Sequence, residues 1–227
     1  TTSTCRISPL MSTDTIKRIG FVSLGCPKNL VDSEQMLATL TDAGYELVAD
    51  HDDADAIIVN TCGFLEASKE ESVEVINEAV SRKENGRLQR VVAAGCLVQR
   101  QRAKLLDWCP GIDAMIGVFD RDHIVDAMQP TPESEENNMP NWIAANALLA
   151  ARARGIETPT GYYEDDSNRL QLTPRHWAYL RVSEGCNQNC AFCTIPSIRG
   201  KMRSKPVDII VSEAKKLLAS GVYELNL

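Results

Sequence analysis

The sequence predicts an α/β protein, with a parallel βαβ sheet first and a second β-α-β unit after it. Short apolar runs alternate with helical patterns between residues 19 and 128, which is typical of a parallel sheet with right-handed crossovers. Three of these apolar runs are each followed by a cysteine. A second alternation begins near residue 172, and its first apolar run leads into a C-x3-C-x2-C motif at residues 186–193.

The composition and net charge of the chain exclude several classes of protein. The 227 residues are 44% hydrophobic, enough to bury a core, which excludes a disordered or fibrous chain. A formal net charge of −7 argues against a general nucleic-acid binder. No apolar run approaches the roughly 20 residues of a membrane span, and no signal-peptide pattern is present. These features predict a cytoplasmic protein without a membrane partner, whose cysteines serve metal binding or catalysis and not disulfides.

The N-terminal residues carry few structural signals. We expect residues 1–16 to be a leader in which Cys5 has no role, with Met11 as the natural start.

The first domain, residues 17–129, opens with an apolar strand at residues 19–24. A capping-box pattern at residues 32–35 predicts a helix that ends at Gly44, followed by a short strand at residues 45–48.

Two further units repeat this shape. Residues 56–60 and 90–94 are continuous apolar runs, as expected for strands of a sheet covered on both faces. A second capping box, formed by Ser68 and Glu71, predicts a helix that ends at Gly86. The third unit is predicted to continue as one helix through residue 106. A strand at residues 112–118 and a short helix at residues 121–128 complete the domain, which we expect to be Rossmann-like.

Three cysteines lie one or two residues past the ends of the predicted strands: Cys26, Cys62 and Cys96. They are separated by 36 and 34 residues, about one crossover unit each time. Ligands of open α/β sheets bind outside the carboxyl ends of the strands, so the fold should bring these thiols to one edge as a metal site. The alternative is three buried structural cysteines. Cys109 follows a helix, breaks the pattern and is expected to be structural.

Residues 130–172 read as a linker, because three prolines bracket an acidic polar run at residues 133–138. Residues 142–154 within it form an Ala-rich helical pattern that we interpret as a spacer. The second domain, residues 173–227, has a strand at 177–182, a helix at 207–220 with Gly221 as its stop, and a strand at 223–227. One β-α-β unit does not close a sheet or barrel, so this domain is expected to be truncated.

The motif in the second domain supplies three thiolates: Cys186, Cys190 and Cys193. They can hold three irons of one [4Fe–4S] cube and leave the fourth iron open, whereas ferredoxin-type clusters take four cysteines at other spacings. Structural zinc, the main alternative, needs four closed ligands. The nearby His176 lies ten residues upstream and is expected to pack at the strand start.

The segment from Cys186 to Cys193 resembles the signature of the radical S-adenosylmethionine superfamily. This resemblance implies a (β/α) partial barrel and a cube whose fourth iron binds the amino and carboxylate groups of S-adenosylmethionine. Cleavage of that molecule then yields a 5′-deoxyadenosyl radical. Phe192 matches an aromatic residue that packs near the adenine, which makes it the candidate cofactor-binding residue. Plain core packing is the alternative for this side chain.

The first domain is similar to the methylthiotransferases of that superfamily. The similarity lies in residues 23–34, 59–64 and 94–96. It implies that Cys26, Cys62 and Cys96 bind an auxiliary [4Fe–4S] cluster, and that S-adenosylmethionine supplies both a methyl group and the radical. It also implies an electron donor such as a flavodoxin or ferredoxin. No residue is identified as a catalytic acid or base.

Two branches of the family modify different substrates. Pro-Lys-Asn at residues 27–29, Gly-Phe at 63–64 and Ile-Pro-Ser-Ile-Arg-Gly at 195–200 resemble the RimO-like branch, which modifies the β-carbon of an aspartate in ribosomal protein S12 of the small subunit. The alternatives are a MiaB-like enzyme acting on tRNA adenosine, a non-catalytic iron–sulfur or zinc module, and an inactive fragment.

Several basic and polar residues near the motifs are candidates for supporting roles. Lys28 and Asn29 are expected to support the first cluster from outside its ligand shell. The basic loop at residues 199–205 is either solvated or orients the cofactor or the anionic target. Lys205 stands where the family has Arg, and we assign it no specific contact because lysine lacks the planar fork.

Overall fold

The computed structural model describes residues 16–129 and 165–227. The predicted leader with Cys5, up to residue 15, and the predicted Ala-rich helix at residues 142–154 lie outside the described residues. Within the described ranges, none of the helices combines the length and apolar character that a membrane span needs.

The first unit is built on a five-stranded parallel sheet with strand order β2-β1-β3-β4-β5, which confirms the predicted fold class. Its two central strands, β3 and β4, are buried at every position because they are covered on both faces. In chain order the strands are β1 (Arg18–Ser23), β2 (Glu46–Val48), β3 (Ala56–Thr61), β4 (Arg90–Gly95) and β5 (Ala114–Ile116).

Helices cover both faces of this sheet. On one face, Met36 and Leu40 of α1 pack against β1, β3 and β4. On the other face, α2 contributes Ile76, and the segment after β4 contributes Leu97 and Leu105. The helices are α1 (Pro27–Asp42), α2 (Glu66–Glu84), α3 (Cys96–Gln101) and α4 (Lys104–Trp108).

The strand order reverses between β1 and β3. From β1 the chain first adds β2 on one side, and it then crosses to add β3, β4 and β5 on the other. Loops that leave neighbouring strands in opposite directions open a crevice at their carboxyl ends, which is where doubly wound sheets bind ligands. Cys26 and Cys62 follow the two strands that flank this crevice.

Both capping-box predictions were wrong. Helix α1 begins at Pro27, five residues before Asp32, because proline at the first helical position has its φ preset and lacks only an N–H that would have no intrahelical partner. Helix α2 begins at Glu66, before Ser68, and no side chain caps either helix. Asp32 therefore lies inside α1, where its carboxylate is free to bind other side chains.

The predicted helix of the third unit is broken. Helices α3 and α4 are separated at Arg102, whose φ of 52° lies in the left-handed region. The break lets Leu97 and Leu105 enter the same core. The predicted short helix at residues 121–128 is replaced by two 3₁₀ turns, Arg121–His123 and Asp126–Met128. The helix ends expected at Gly44, Gly86 and Gly221 are confirmed to within two residues.

The second unit is the predicted β-α-β arrangement. Strand β6 (Trp177–Tyr179) pairs in parallel with β9 (Glu224–Asn226), and α6 (Val207–Ala219) connects them and packs Leu217 against Ala178. Between β6 and α6, an antiparallel pair of two-residue strands frames the cysteine loop, which leads into a short helix. These elements are β7 (Ser183–Glu184), α5 (Ile195–Arg199) and β8 (Arg203–Ser204).

Cys109 is packed in the core between the sheet and α2, as predicted, with none of its surface exposed. Burial raises the pKa of its thiol to about 11, which keeps it protonated and unreactive.

We expect Cys109→Ala to lower the free energy of unfolding by about 1 kcal/mol and to leave the amount of iron bound after anaerobic reconstitution unchanged. Urea unfolding and iron analysis measure the two effects. Loss of iron in this variant would contradict a purely structural role.

Candidate metal centres

The loops that carry Cys26, Cys62 and Cys96 touch one another at the carboxyl edge of the sheet. Gly25 has a φ of 98°, and a Cβ there would lie 2.8 Å from the Cβ of Cys62. A Cβ on Gly63 would lie 2.7 Å from the Cα of Leu97, the residue after Cys96. Glycine at these two positions therefore lets the three cysteine-bearing loops approach closely, which the strand-end spacing predicts.

Asn29 fixes the relative position of these loops. Its side-chain amide donates to the carbonyl of Leu24 at 2.5 Å and to that of Thr61 at 3.3 Å, so it joins the loops after β1 and β3. Its Oδ1 lies 3.9 Å from Cys96 Sγ, which donates to it. Asn60 in turn donates to the Asn29 carbonyl at 3.0 Å. Asn29 therefore contacts the ends of all three strands that precede the cysteines.

The three thiols differ in exposure. Cys26 is exposed, whereas Cys62 and Cys96 are buried. Burial raises the pKa of the Cys96 thiol to about 11, although the neighbouring Arg199 guanidinium opposes that rise. A thiol must lose its proton to bind a metal, so loading at Cys96 releases a proton.

The second motif is held by backbone contacts. Cys186 donates its N–H to the carbonyl of Gly200 at 3.1 Å, and Cys193 donates to the carbonyl of Cys190 at 3.1 Å. The Gln188 N–H lies 3.5 Å from Cys186 Sγ, and hydrogen bonds of this kind to cluster sulfurs tune iron–sulfur sites. Cys190 is exposed, and Cys186 and Cys193 are half-buried.

Phe192 lies in the same loop with its side chain 87% exposed. It is therefore not part of a core of the described residues, as the packing alternative would require. His176, directly before β6, is exposed, with its ring 5.7 Å from that of Tyr223.

The candidate ligand atoms of both motifs are cysteine thiols. In residues 16–129 and 165–227, no three His, Cys, Asp or Glu side chains converge so that they could hold one metal ion. In a cube, each thiolate binds a different iron, so the ligands surround a volume and need not meet at a point. Soft thiolate ligands suit iron–sulfur clusters, and they suit zinc as well.

A buried group of charges, which we call the Asp32 cluster, joins the two motifs. Its centre is Asp32 on α1, and each of its two carboxylate oxygens binds guanidinium groups. Oδ1 lies 3.0 Å from Arg121 and 2.7 Å from Arg181, and Oδ2 lies 2.7 Å from Arg199. Arg181 and Arg199 also bind Glu184 Oε2, at 3.1 and 2.9 Å. Glu184 lies two residues before Cys186.

Further contacts extend the cluster on both sides. Lys28 donates to the carbonyl of Ser183 at 2.8 Å, which ties the start of α1 to β7. Asp166 pairs with Arg181 and lies 2.6 Å from Lys205 Nζ, which also binds both carboxylate oxygens of Glu213, at 2.8 and 2.7 Å.

Two residues of the basic loop are therefore not solvated. Arg199 and Lys205 are both buried in ion pairs, so neither is available to bind the cofactor or an anionic target directly. Lys205 makes three charged hydrogen bonds although we assigned it no contact. Sequence reasoning missed Asp32, Arg181 and Glu184 altogether. The residues at 32–35 have the pattern of a helix cap, and a linear pattern does not show which distant arginine a carboxylate will contact.

The electrostatics favour fully ionised carboxylates. Burial alone would raise the pKa of Asp32, but Arg121, Arg199 and Arg181 together outweigh it and hold that pKa well below its usual range. Burial would also raise the pKa values of Asp166 and Glu184. Their cationic neighbours outweigh this effect, so both pKa values are lowered. Carboxyl groups with depressed pKa values stabilise the fold above their unfolded pKa of about 4 and lose that contribution as the pH falls below it.

We expect Asp32→Asn to lower the free energy of unfolding by about 3–5 kcal/mol at pH 7, because it leaves buried guanidinium groups without their shared anion. Urea unfolding at several pH values measures the effect, and the difference from wild type should shrink progressively below about pH 4, because the unfolded wild-type chain then binds protons that folded Asp32 does not. Asp52→Asn is the matched control. Its pair with Arg82, at 2.6 Å, is exposed, and its loss should cost less than about 1 kcal/mol. Equal losses of unfolding free energy in Asp32→Asn and Asp52→Asn would contradict the central place of Asp32.

Known proteins resemble this chain in sequence and fold. The family described as "Uncharacterized protein family UPF0004" matches residues 18–117. The ribosomal protein uS12 methylthiotransferase RimO of Bdellovibrio bacteriovorus is 43% identical over 92% of this chain and 42% of its own length. RimO of Solibacter usitatus is 40% identical over 92% and 41%, and RimO of Pseudomonas paraeruginosa 43% over 95% and 43%.

A structural likeness agrees with these matches. The radical S-adenosylmethionine methyltransferase TsrM from Kitasatospora setae, solved with tryptophan and a cofactor analogue, superposes with a TM-score of 0.52. The superposition covers 92% of this chain and 47% of TsrM at 15% identity, and it concerns the fold alone. The chain spans about two fifths of the length of the curated RimO relatives above. Over that span, its sequence is similar to the ribosomal protein uS12 methylthiotransferases RimO, and residues 18–117 match the UPF0004 family.

Proposed function

We propose that the protein transfers a methylthio group to the β-carbon of an aspartate in ribosomal protein S12, by radical S-adenosylmethionine chemistry with two [4Fe–4S] clusters. The observation that carries the proposal is the presence of two separate three-cysteine motifs whose loops are joined by the Asp32 cluster. RimO relatives at about 40% identity favour the S12 branch over the tRNA branch.

Each motif has its own part in the proposal. The first motif holds the auxiliary cluster and the second holds the cluster that binds S-adenosylmethionine, and their ligands are Cys26, Cys62, Cys96, Cys186, Cys190 and Cys193. When bound, the two clusters supply reducing electrons, an open iron for the cofactor and a place for sulfur. Phe192, exposed beside Cys193, offers its ring to the adenine of the cofactor.

The chain's other residues position these groups. Asn29 clamps the loops of the first motif, and the amide of Gln188 donates to Cys186 Sγ in the second. The proposed domains are residues 17–129 for the auxiliary cluster and 173–227 for the radical domain, with 1–16 and 130–172 as leader and linker. An electron donor such as a flavodoxin or ferredoxin supplies the reducing equivalents. The proposed location is the cytoplasm, where ribosomal substrates are found.

Anaerobic reconstitution of the full-length protein with iron and sulfide should load about eight irons per chain, because two cubes of four irons are expected. A triple variant with Cys26→Ala, Cys62→Ala and Cys96→Ala should bind about four irons, and so should Cys190→Ala. Of these two variants, only the triple variant should still cleave S-adenosylmethionine under strong reductant, since it keeps the second motif. Iron analysis and detection of 5′-deoxyadenosine measure these outcomes.

A wild-type preparation that saturates at about four irons would sink the two-cluster proposal. Cleavage that persists in Cys190→Ala would show that the second motif is not the site of radical formation. Absence of cleavage in every preparation would favour a non-catalytic iron–sulfur module.

The substrate branch is tested in cells that lack the gene. Mass spectrometry of ribosomal protein S12 should then show loss of the methylthio addition, which replaces one aspartate β-hydrogen by SCH₃. Complementation with the wild-type gene should restore the addition, and Cys96→Ala should not. Loss of a methylthio group from tRNA, with S12 unchanged, would overturn the S12 assignment and support the MiaB-like alternative.

A further inference from the structure

Arg199 is the residue at which the two cysteine motifs meet. Its Nη2 lies 3.4 Å from Cys96 Sγ, within hydrogen-bonding distance of the sulfur of the first motif. The next residue, Gly200, accepts a hydrogen bond at 3.1 Å from the backbone N–H of Cys186, the first cysteine of the second motif. Arg199 therefore contacts a cysteine of the first motif, and the next residue, Gly200, contacts a cysteine of the second.

The guanidinium is rigidly held. Nη2 also donates to Asp32 Oδ2 at 2.7 Å, and Nη1 donates to Glu184 Oε2 at 2.9 Å. The side chain of Arg199 is 2% exposed. The preceding residue, Ile198, packs with Cys96 and Val118 in a small apolar cluster of its own. A planar guanidinium with two carboxylates fixed on it has little freedom to leave the sulfur.

Burial makes this charge effective. Solvent and salt screen an exposed cation, but they screen a buried one much less. A hydrogen bond from a cation to a cluster thiolate stabilises the more negative, reduced form of the cluster. Hydrogen bonds to the sulfurs, net charge and solvent exposure are the factors that set iron–sulfur potentials.

We propose that Arg199 is a positioning residue that fixes a positive charge on Cys96 Sγ, so that the loop of the second motif sets the reduction potential of the cluster at the first. The inference rests on the proposed function, because it requires a cluster at Cys26, Cys62 and Cys96. It assigns Arg199 to communication between the two sites, and not to contact with the substrate.

Arg181 provides a matched control. It binds the same two carboxylates, Asp32 Oδ1 at 2.7 Å and Glu184 Oε2 at 3.1 Å, and it is equally buried. In the described part of the chain it makes no hydrogen bond to Cys96. Replacement of either arginine therefore removes one buried cation from the Asp32 cluster, but only replacement of Arg199 removes the contact with sulfur.

The experiment measures the potential of the first cluster alone. Cys190→Ala is introduced so that only that cluster loads, and the protein is titrated with reductant while its EPR signal is recorded. Arg199→Gln should shift the midpoint to a lower potential, and Arg199→Lys should recover part of that shift because it restores the charge without the planar fork. Arg181→Gln should leave the midpoint near its original value, although it lowers the temperature of unfolding.

The outcomes separate this inference from the function on which it rests. A loaded cluster whose midpoint is unchanged in Arg199→Gln, or falls equally in Arg181→Gln, overturns the role of Arg199 and leaves the proposed function standing. A Cys190→Ala protein that binds no iron overturns both. If the Gln variants fail to fold, Arg199→Lys compared with Arg181→Lys decides the matter, because only the former should move the midpoint.

Discussion

The buried carboxylate of Asp32, shared by three guanidinium groups, is the interaction on which the arrangement of the two cysteine motifs depends. An ion without solvent is stable only when counter-ions and hydrogen bonds surround it. Arg121 comes from the first unit, whereas Arg181 and Arg199 come from the second. Each unit therefore contributes charges to ion pairs with the other, and the two units are joined by directional contacts and not by an apolar face alone.

The same requirement shapes the chain around the second motif. Arg199, after the motif, binds both Glu184, just before the motif, and Asp32 on α1, so the loop is closed at its base. The segment at residues 165–172 is drawn in as well. Asp166 pairs with Lys205, and Glu34 of α1 accepts backbone hydrogen bonds from Leu170 and Leu172. Ionic contacts thus position the loop, whereas its cysteines remain accessible.

The first motif depends on a different constraint, the topology of the sheet. A reversal of strand order between β1 and β3 opens a crevice at their carboxyl ends, and Cys26 and Cys62 flank it. Cys96 joins them because β4 lies next to β3 in the sheet. Close approach of the loops is possible only without side chains at Gly25 and Gly63. Sites assembled in this way gather ligands that are distant in sequence, whereas the second motif gathers its ligands from eight consecutive residues.

The sequence by itself determined the α/β class, the approximate positions of β1 to β6 and β9, and the six cysteines of interest, because apolar periodicity and short-range spacing are properties of a linear pattern. It did not indicate the two-residue strands β7 and β8. It also indicated the structural role of Cys109. It misplaced the starts of α1 and α2, since Asp32 and Ser68 carry the residue types of a helix cap whether or not they act as one. Only the tertiary structure decided that Asp32, Arg181, Glu184 and Arg199 form one buried cluster. Charged side chains have no periodicity that reveals their partners, and their pairing depends on which surfaces the fold brings together and closes to water.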